Sequence, residues 1–168
     1  MKRNIIVTTQ GANLQIYYNL INRINKNGKL GFLTSFYRNF KEFEETEKNL
    51  DSTYFIKEWE IFEKSKKKTE VQSFSKLNGF FPPGILWNSI LSDRRLIYGK
   101  NSKYIEDYNV RFSDKQLYNL INTFLDEFQI FFKKINPDVL IGSVPVTFGE
   151  YLAIEYCKKK SSYSAVTF

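Results

Sequence analysis

Residues 143–150 (SVPVTFGE) bring hydroxyl groups and one carboxylate together between an apolar run and a helical pattern. A loop in this position would follow the carboxyl end of a strand, where open α/β sheets bind ligands and the next helix presents free N–H groups. Thr147 would then contact the substrate, and Glu150 would be the catalytic base or a ligand of substrate hydroxyl groups. A structural interpretation stays open, because the helix dipole stabilises any glutamate in a first helical turn.

Substrate contacts are also predicted in the loop after the first apolar run, at Thr8, Thr9, Gln10 and Gly11. The glycine lets a ligand approach the backbone, and the other side chains offer hydrogen bonds to a hydroxyl-rich molecule. The loop has neither the glycine pattern of dinucleotide-binding folds nor that of P-loops, so NAD and ATP are not supported. We expect no cofactor, and an ordinary turn between strand and helix is the alternative.

Two charged segments complete the candidates. Arg94 and Arg95 are suited to binding a phosphate or a carboxylate through paired N–H groups. The alternative is that they complement a helix C-terminus and pair with Asp93. In residues 58–60 (EWE), the pattern favours a half-buried tryptophan beside solvated acids.

The residue types that are missing narrow the chemistry further. The chain has no histidine and a single cysteine, Cys157. Catalysis by Ser-His-Asp or Cys-His groups is therefore excluded, as is an intrachain disulfide. A transition-metal site is disfavoured, and we expect no bound metal. Any general acid or base must be Asp, Glu, Lys or Tyr.

Charge and hydropathy indicate the cellular setting. The net charge of +7 favours acidic partners. Its one dense basic run, residues 64–68 (KSKKK), could contact an anionic membrane surface or form a solvated face. Aromatic residues are not interleaved with basic ones, which does not favour nucleic acid. No apolar run is long enough for a signal sequence or a membrane span, so we expect a cytoplasmic protein, including at the inner face of the membrane.

The order of elements predicts one α/β domain over residues 1–168, a Rossmann-like parallel sheet flanked by helices. Short apolar runs are expected to form strands at 4–9, 30–34, 54–56, 139–142 and 164–168. Helical patterns lie between them, among them an exposed, charged helix over residues 37–50. A capping box at Ser113 and Gln116 is expected to open the longest helix, and Asn136-Pro137 to end it. Residues 64–112 are a possible insertion or loop-rich region.

Five segments carry a resemblance to a known family. They occur in the expected order and span most of the chain: residues 58–61 (EWEI), 86–96 (LWNSILSDRRL), 107–113 (DYNVRFS), 137–142 (PDVLIG) and 146–152 (VTFGEYL). The ordered set resembles capsule and surface-polysaccharide biosynthesis proteins that are related to two-domain, GT-B-like glycosyltransferases.

The resemblance implies two Rossmann-like domains that face each other across a cleft, the first holding a saccharide acceptor and the second a nucleotide-sugar. This chain matches only the first domain. We therefore expect an acceptor-binding domain that is truncated relative to the family, incomplete as a catalyst alone, and able to join a separate C-terminal domain. Two alternatives stay open: a non-catalytic α/β binding or scaffold module that docks a separate domain, and a nucleotide-sugar epimerase-like half-enzyme.

Overall fold

The computed structural model describes most of the chain. The described residues are 3–9, 13–25, 27–47, 50, 53–68, 81–82, 84–97, 112–159 and, for the backbone alone, 164–167. Strands are β1 (Ile5–Thr9), β2 (Leu30–Thr34), β3 (Thr53–Lys57), β4 (Val139–Gly142) and β5 (Ser164–Thr167). Helices are α1 (Leu14–Ile24), α2 (Tyr37–Thr46), α3 (Glu58–Lys66), α4 (Ile85–Ser92), α5 (Arg94–Ile97), α6 (Asp114–Ile135) and α7 (Phe148–Lys159).

The strands form one sheet in the order β3-β2-β1-β4-β5. Every pair is parallel, with Ile5 opposite both Leu30 and Val139 in the neighbouring strands. The order reverses direction at β1, as in doubly wound folds. The predicted α/β, Rossmann-like class is therefore confirmed.

Successive strand residues point to opposite sides of the sheet, so both of its faces carry apolar side chains. Helices cover both faces. On one side, Val7 and Phe32 pack with residues of α1 and α2. On the other, Ile6 and Leu33 join a larger cluster with residues of α3, α4, α6 and α7. Strands β1 and β2 are buried along their whole length, which explains their unbroken apolar sequences.

Helix α6 begins with the predicted capping box. The backbone N–H of Ser113 donates to Gln116 Oε1 at 2.8 Å, and the N–H of Gln116 donates to Ser113 Oγ at 3.4 Å. The helix ends at Asn136, whose φ of 47° is left-handed. Its buried stripe includes Phe124, Phe128 and Phe132, and each buried side chain of this size contributes about 1.5–3 kcal/mol.

The region from 64 to 112 is only partly described. Helix α3 continues to Lys66, and helices α4 and α5 contribute Leu86, Ile90 and Leu96 to the larger core cluster. These helices are therefore part of the domain's core, and the suggestion of an insertion stays a prediction. Helix α2 ends at Thr46, before the predicted position 50, because the backbone at Glu47 is extended.

The basic run at the end of α3 is largely ion-paired. Lys64 contacts Glu127 at 2.8 Å and Lys68 contacts Asp126 at 3.1 Å, so both lysines reach α6. Lys66 pairs within its own helix. These contacts favour the solvated-face interpretation, and a membrane contact through this run stays a prediction. Within the described ranges, no helix combines the length and apolarity that crossing a bilayer requires.

Candidate active site

The candidate site lies at the edge of the sheet where the parallel strands end, which we call the carboxyl edge. Ser35 follows β2, Glu58 follows β3, and residues 143–147 follow β4. Because the strands run in one direction, these positions are brought to the same edge. Asp93 and Arg95, from the α4–α5 junction, join them there through the contacts described below.

Glu58 lies at the centre of a buried polar cluster. Its side chain is fully buried, although it opens α3. Its Oε2 pairs with Nη1 of Arg95 at 2.5 Å, and its Oε1 accepts a hydrogen bond from Thr147 Oγ1 at 3.1 Å. A Cβ at position 149 would overlap this carboxylate, so Gly149 is required for α7 to approach Glu58 so closely.

Asp93 holds the same arginine from a second direction. Its Oδ1 accepts from Nε of Arg95 at 2.9 Å, and its Oδ2 accepts from Nη2 at 2.6 Å. This is the bidentate arrangement that fixes a guanidinium most firmly. Oδ2 also accepts from the backbone N–H of Phe148 at 2.9 Å, which links the α4–α5 junction to the start of α7.

Glu150 forms a capping box with Thr147. Its Oε2 accepts from the backbone N–H groups of Val146 at 2.9 Å and Thr147 at 3.0 Å. Its own N–H donates to Thr147 Oγ1 at 3.2 Å. The spacing T-x-x-E is that of a capping box. These contacts give Glu150 a structural role at the start of α7. A catalytic role for Glu150 stays a prediction.

The start of α7 is therefore filled by the protein's own carboxylates. Asp93 accepts from Phe148, and Glu150 accepts from Val146 and Thr147. These are the N–H groups that would otherwise bind an external anion at a helix N-terminus. A phosphate bound here would have to displace both side chains.

The electrostatics of the cluster follow from its burial. Desolvation raises the pKa of Glu58 above its ordinary value of 4.5, and the charge of Arg95 works in the opposite direction. Burial alone would lower the pKa of Arg95, but its hydrogen bond to Asp93 and the charge of Glu58 outweigh burial and raise it. Arg95 is therefore a permanent cation, whereas burial favours the protonated form of Glu58.

A cleft of about 150 Å³ opens beside this cluster. Its lining includes Ser35, Trp59, Phe62 and Arg95. The hydroxyl oxygen of Ser35 is buried and interacts with Glu58. The guanidinium lies 5.4 Å from the centre of the Phe62 ring. Trp59 meets Tyr37 edge to face at 5.6 Å. Apolar walls with a few fixed polar groups are typical of small-molecule sites.

The predicted site residues are only partly brought together. Arg95, Thr147 and Glu150 belong to the buried cluster, whereas Arg94 is exposed and is not among the residues that line the cleft. Thr8 and Thr9 are buried within β1, and Thr8 packs against Gly142. Gln10 and Gly11 lie outside the described residues.

Sequence reasoning missed the central residue of the site. We expected solvated acids beside a half-buried tryptophan, which is correct for Trp59 and Glu60 but wrong for Glu58. Glu58 is buried because it opens α3 directly beneath the start of α7. Its position immediately after a strand was the available signal. In the described part of the chain, no three Cys, Asp or Glu side chains group closely enough to hold a metal ion.

Fold and site together define a Rossmann-like α/β domain with an acid–arginine cluster and an aromatic cleft at its carboxyl edge. Comparison with protein-family models, with curated proteins and with solved structures finds no match to this chain. The resemblance to polysaccharide biosynthesis proteins thus remains a prediction that depends on the residues themselves.

Proposed function

We propose that this chain is the acceptor-binding, N-terminal domain of a GT-B-like glycosyltransferase for capsule or surface polysaccharide. One observation carries the proposal. Three of the segments that resemble this family are distant in sequence, yet they supply the buried cluster: Glu58 from residues 58–61, Asp93 and Arg95 from 86–96, and Thr147 from 146–152. A shared cluster gives these segments a common physical reason to occur together.

The chemistry of the adjoining cleft suits a saccharide. Trp59 offers an apolar ring face to the C–H face of a sugar, and a tryptophan of this kind also keeps a polar N–H. Arg95 is held rigid by two carboxylates, so little conformational entropy is lost when it contacts a hydroxyl group.

An acceptor suits this site better than a nucleotide-sugar donor. A donor brings a diphosphate, which Rossmann-like domains commonly bind at a helix N-terminus. At α7 that position is filled by Asp93 and Glu150. In the proposed enzyme, the facing domain would therefore supply the nucleotide-sugar, and this domain would orient the acceptor hydroxyl group.

Exposed apolar residues at the carboxyl edge support a facing domain. Phe36 and Tyr37, after β2, are 47% and 58% exposed, and Val144 and Val146, after β4, are 68% and 45% exposed. Large apolar side chains left exposed at one edge of a sheet are candidates for an interaction surface. The same residues favour the second candidate, a scaffold module that docks a separate domain without binding sugar.

Tryptophan fluorescence separates the two candidates. The chain contains two tryptophans, Trp59 in the cleft and Trp87 on α4. The variant Trp87→Phe leaves Trp59 as the only reporter, and neutral and acidic oligosaccharides are titrated against it. We expect a saturable change in emission. The matched variant Trp59→Phe, which reports from Trp87, is expected to show no change. No response from Trp59 to either class would refute saccharide binding and leave the scaffold module.

A further inference from the structure

We infer that the cleft selects an uncharged saccharide over an acidic one, a specificity that rests on the proposed saccharide binding. The presence of Arg95 in the lining suggests the opposite at first, since a guanidinium commonly binds carboxylate or phosphate. However, the guanidinium of Arg95 already forms ion pairs with two carboxylates of the protein, those of Glu58 and Asp93.

The charge count of the cluster leaves no surplus positive charge. Arg95 contacts the carboxylates of Glu58 at 2.5 Å and Asp93 at 2.6 Å. With both acids ionised, the three side chains sum to one negative charge. With Glu58 protonated they sum to zero. In neither state do these three described side chains present a net positive charge to an acidic ligand, and bringing that ligand near Asp93 is repulsive in a partly desolvated cleft.

The two cations next in sequence to the cluster, Arg94 and Lys57, add no free positive charge to the described cleft lining. Arg94 is exposed and is not part of the cleft lining. Lys57 stacks over the Phe40 ring at 4.2 Å and lies 3.5 Å from Glu60 and 4.0 Å from Glu44. Its charge is thus shared with acids on α2 and α3.

A neutral sugar meets no such penalty. Its hydroxyl groups can accept from the guanidinium, while Trp59 and Phe62 cover an apolar face of the ring. The groups that line the cleft match a hydroxyl-rich ligand without requiring it to carry charge.

Pairs of sugars that differ only at C6 test the inference. Methyl glucoside is compared with methyl glucuronide, and methyl galactoside with methyl galacturonide, by following the indole N–H signal of Trp59 in the full chain. The same comparison is made for the tightest oligosaccharide from the fluorescence titration and its C6-oxidised form. We expect the neutral member to bind at least about tenfold more tightly. This is roughly the effect of repulsion between the ligand carboxylate and one carboxylate of the cluster, partly screened by solvent.

The outcomes distinguish the two proposals. Equal or tighter binding of the acidic members overturns the inference and leaves saccharide binding intact. Absence of binding by every sugar in both assays overturns the inference together with the proposed function.

A variant with an uncharged side chain in place of Glu58 tests whether the cluster causes the preference for neutral sugars. Glu58→Gln, which replaces the carboxyl group that pairs with Arg95, is measured over a series of pH values. We expect it to narrow the neutral-to-acidic ratio several-fold. Glu60→Gln, in the same turn of α3 but exposed, is the matched control and should leave the ratio unchanged. An equal ratio in both variants would overturn the assignment to the cluster, and circular dichroism verifies that each variant is folded.

Discussion

Replacing Arg95 with methionine tests whether the buried cluster is held together as described. Methionine keeps most of the side-chain length and the packing against Phe62, but it removes the cation between Glu58 and Asp93. Losing one partner of a buried ion pair typically costs about 3–5 kcal/mol of unfolding free energy, because the remaining charge is left uncompensated.

The remaining contacts place the expected cost near the lower end of that range. Asp93 would still accept hydrogen bonds from the backbone N–H groups of residue 95 and Phe148. Glu58 would still accept one from the hydroxyl group of Thr147. We therefore expect a loss of about 3 kcal/mol at neutral pH. For a chain of this length, this corresponds to a Tm lowered by roughly 6–12 °C.

The assay is urea denaturation followed by circular dichroism, with the neighbouring variant Arg94→Met as a matched control. Arg94 is exposed, so its replacement should change the unfolding free energy by less than about 0.5 kcal/mol. The loss in Arg95→Met should also shrink on acidification. Without Arg95 the pKa of Glu58 rises further, and a protonated Glu58 needs no cation. Equal losses in the two variants, or a loss in Arg95→Met that does not change with pH, would refute the description of the cluster.

Two further predictions concern the neighbouring carboxylates. Glu150→Ala should cost about 1–2 kcal/mol of unfolding free energy, whereas Glu150→Gln should cost less because glutamine also completes a capping box; equal losses in urea denaturation would contradict the cap. In an assembled enzyme, loss of sugar transfer in the folded glutamine variant would instead support a catalytic role. Because its pKa is raised in the folded state, Glu58 contributes stability that is present below its ordinary pKa of 4.5 and lost as pH rises through the folded value. Glu58→Gln should therefore flatten this part of the stability–pH profile measured by urea denaturation, and an unchanged profile would contradict the raised pKa.

Much of the fold could be predicted because its signals are local. Unbroken apolar runs predict buried parallel strands, and β1, β2 and β4 occur where such runs lie. The Ser113 capping box gives the start of α6, and Asn136-Pro137 its end. Helix ends without a capping signal were less accurate. Helix α2 was expected to reach residue 50, since nothing in its charged sequence indicates that the backbone becomes extended at Glu47.

The site was harder to predict because its defining contacts are not local. Residues 143–150 predicted a loop and a helix start, and a glutamate stabilised by the helix dipole was among the interpretations. That Glu58 would be buried depends on α7 approaching α3 through Gly149, a contact between residues far apart in sequence. In the same way, the sequence suggested that Arg95 could bind an anion or pair with Asp93. It gave no sign that Glu58 would supply a second carboxylate.

The close approach at Gly149 has a consequence for recognising related chains. Helix α7 can reach Glu58 only if position 149 has no Cβ, and its first N–H groups then require Asp93 and Glu150 as acceptors. These residues are therefore expected to change together rather than singly. A chain built on the same plan should carry the signature E…DxR…TxGE, with its glutamate directly after the third strand and its TxGE motif opening the helix after the fourth.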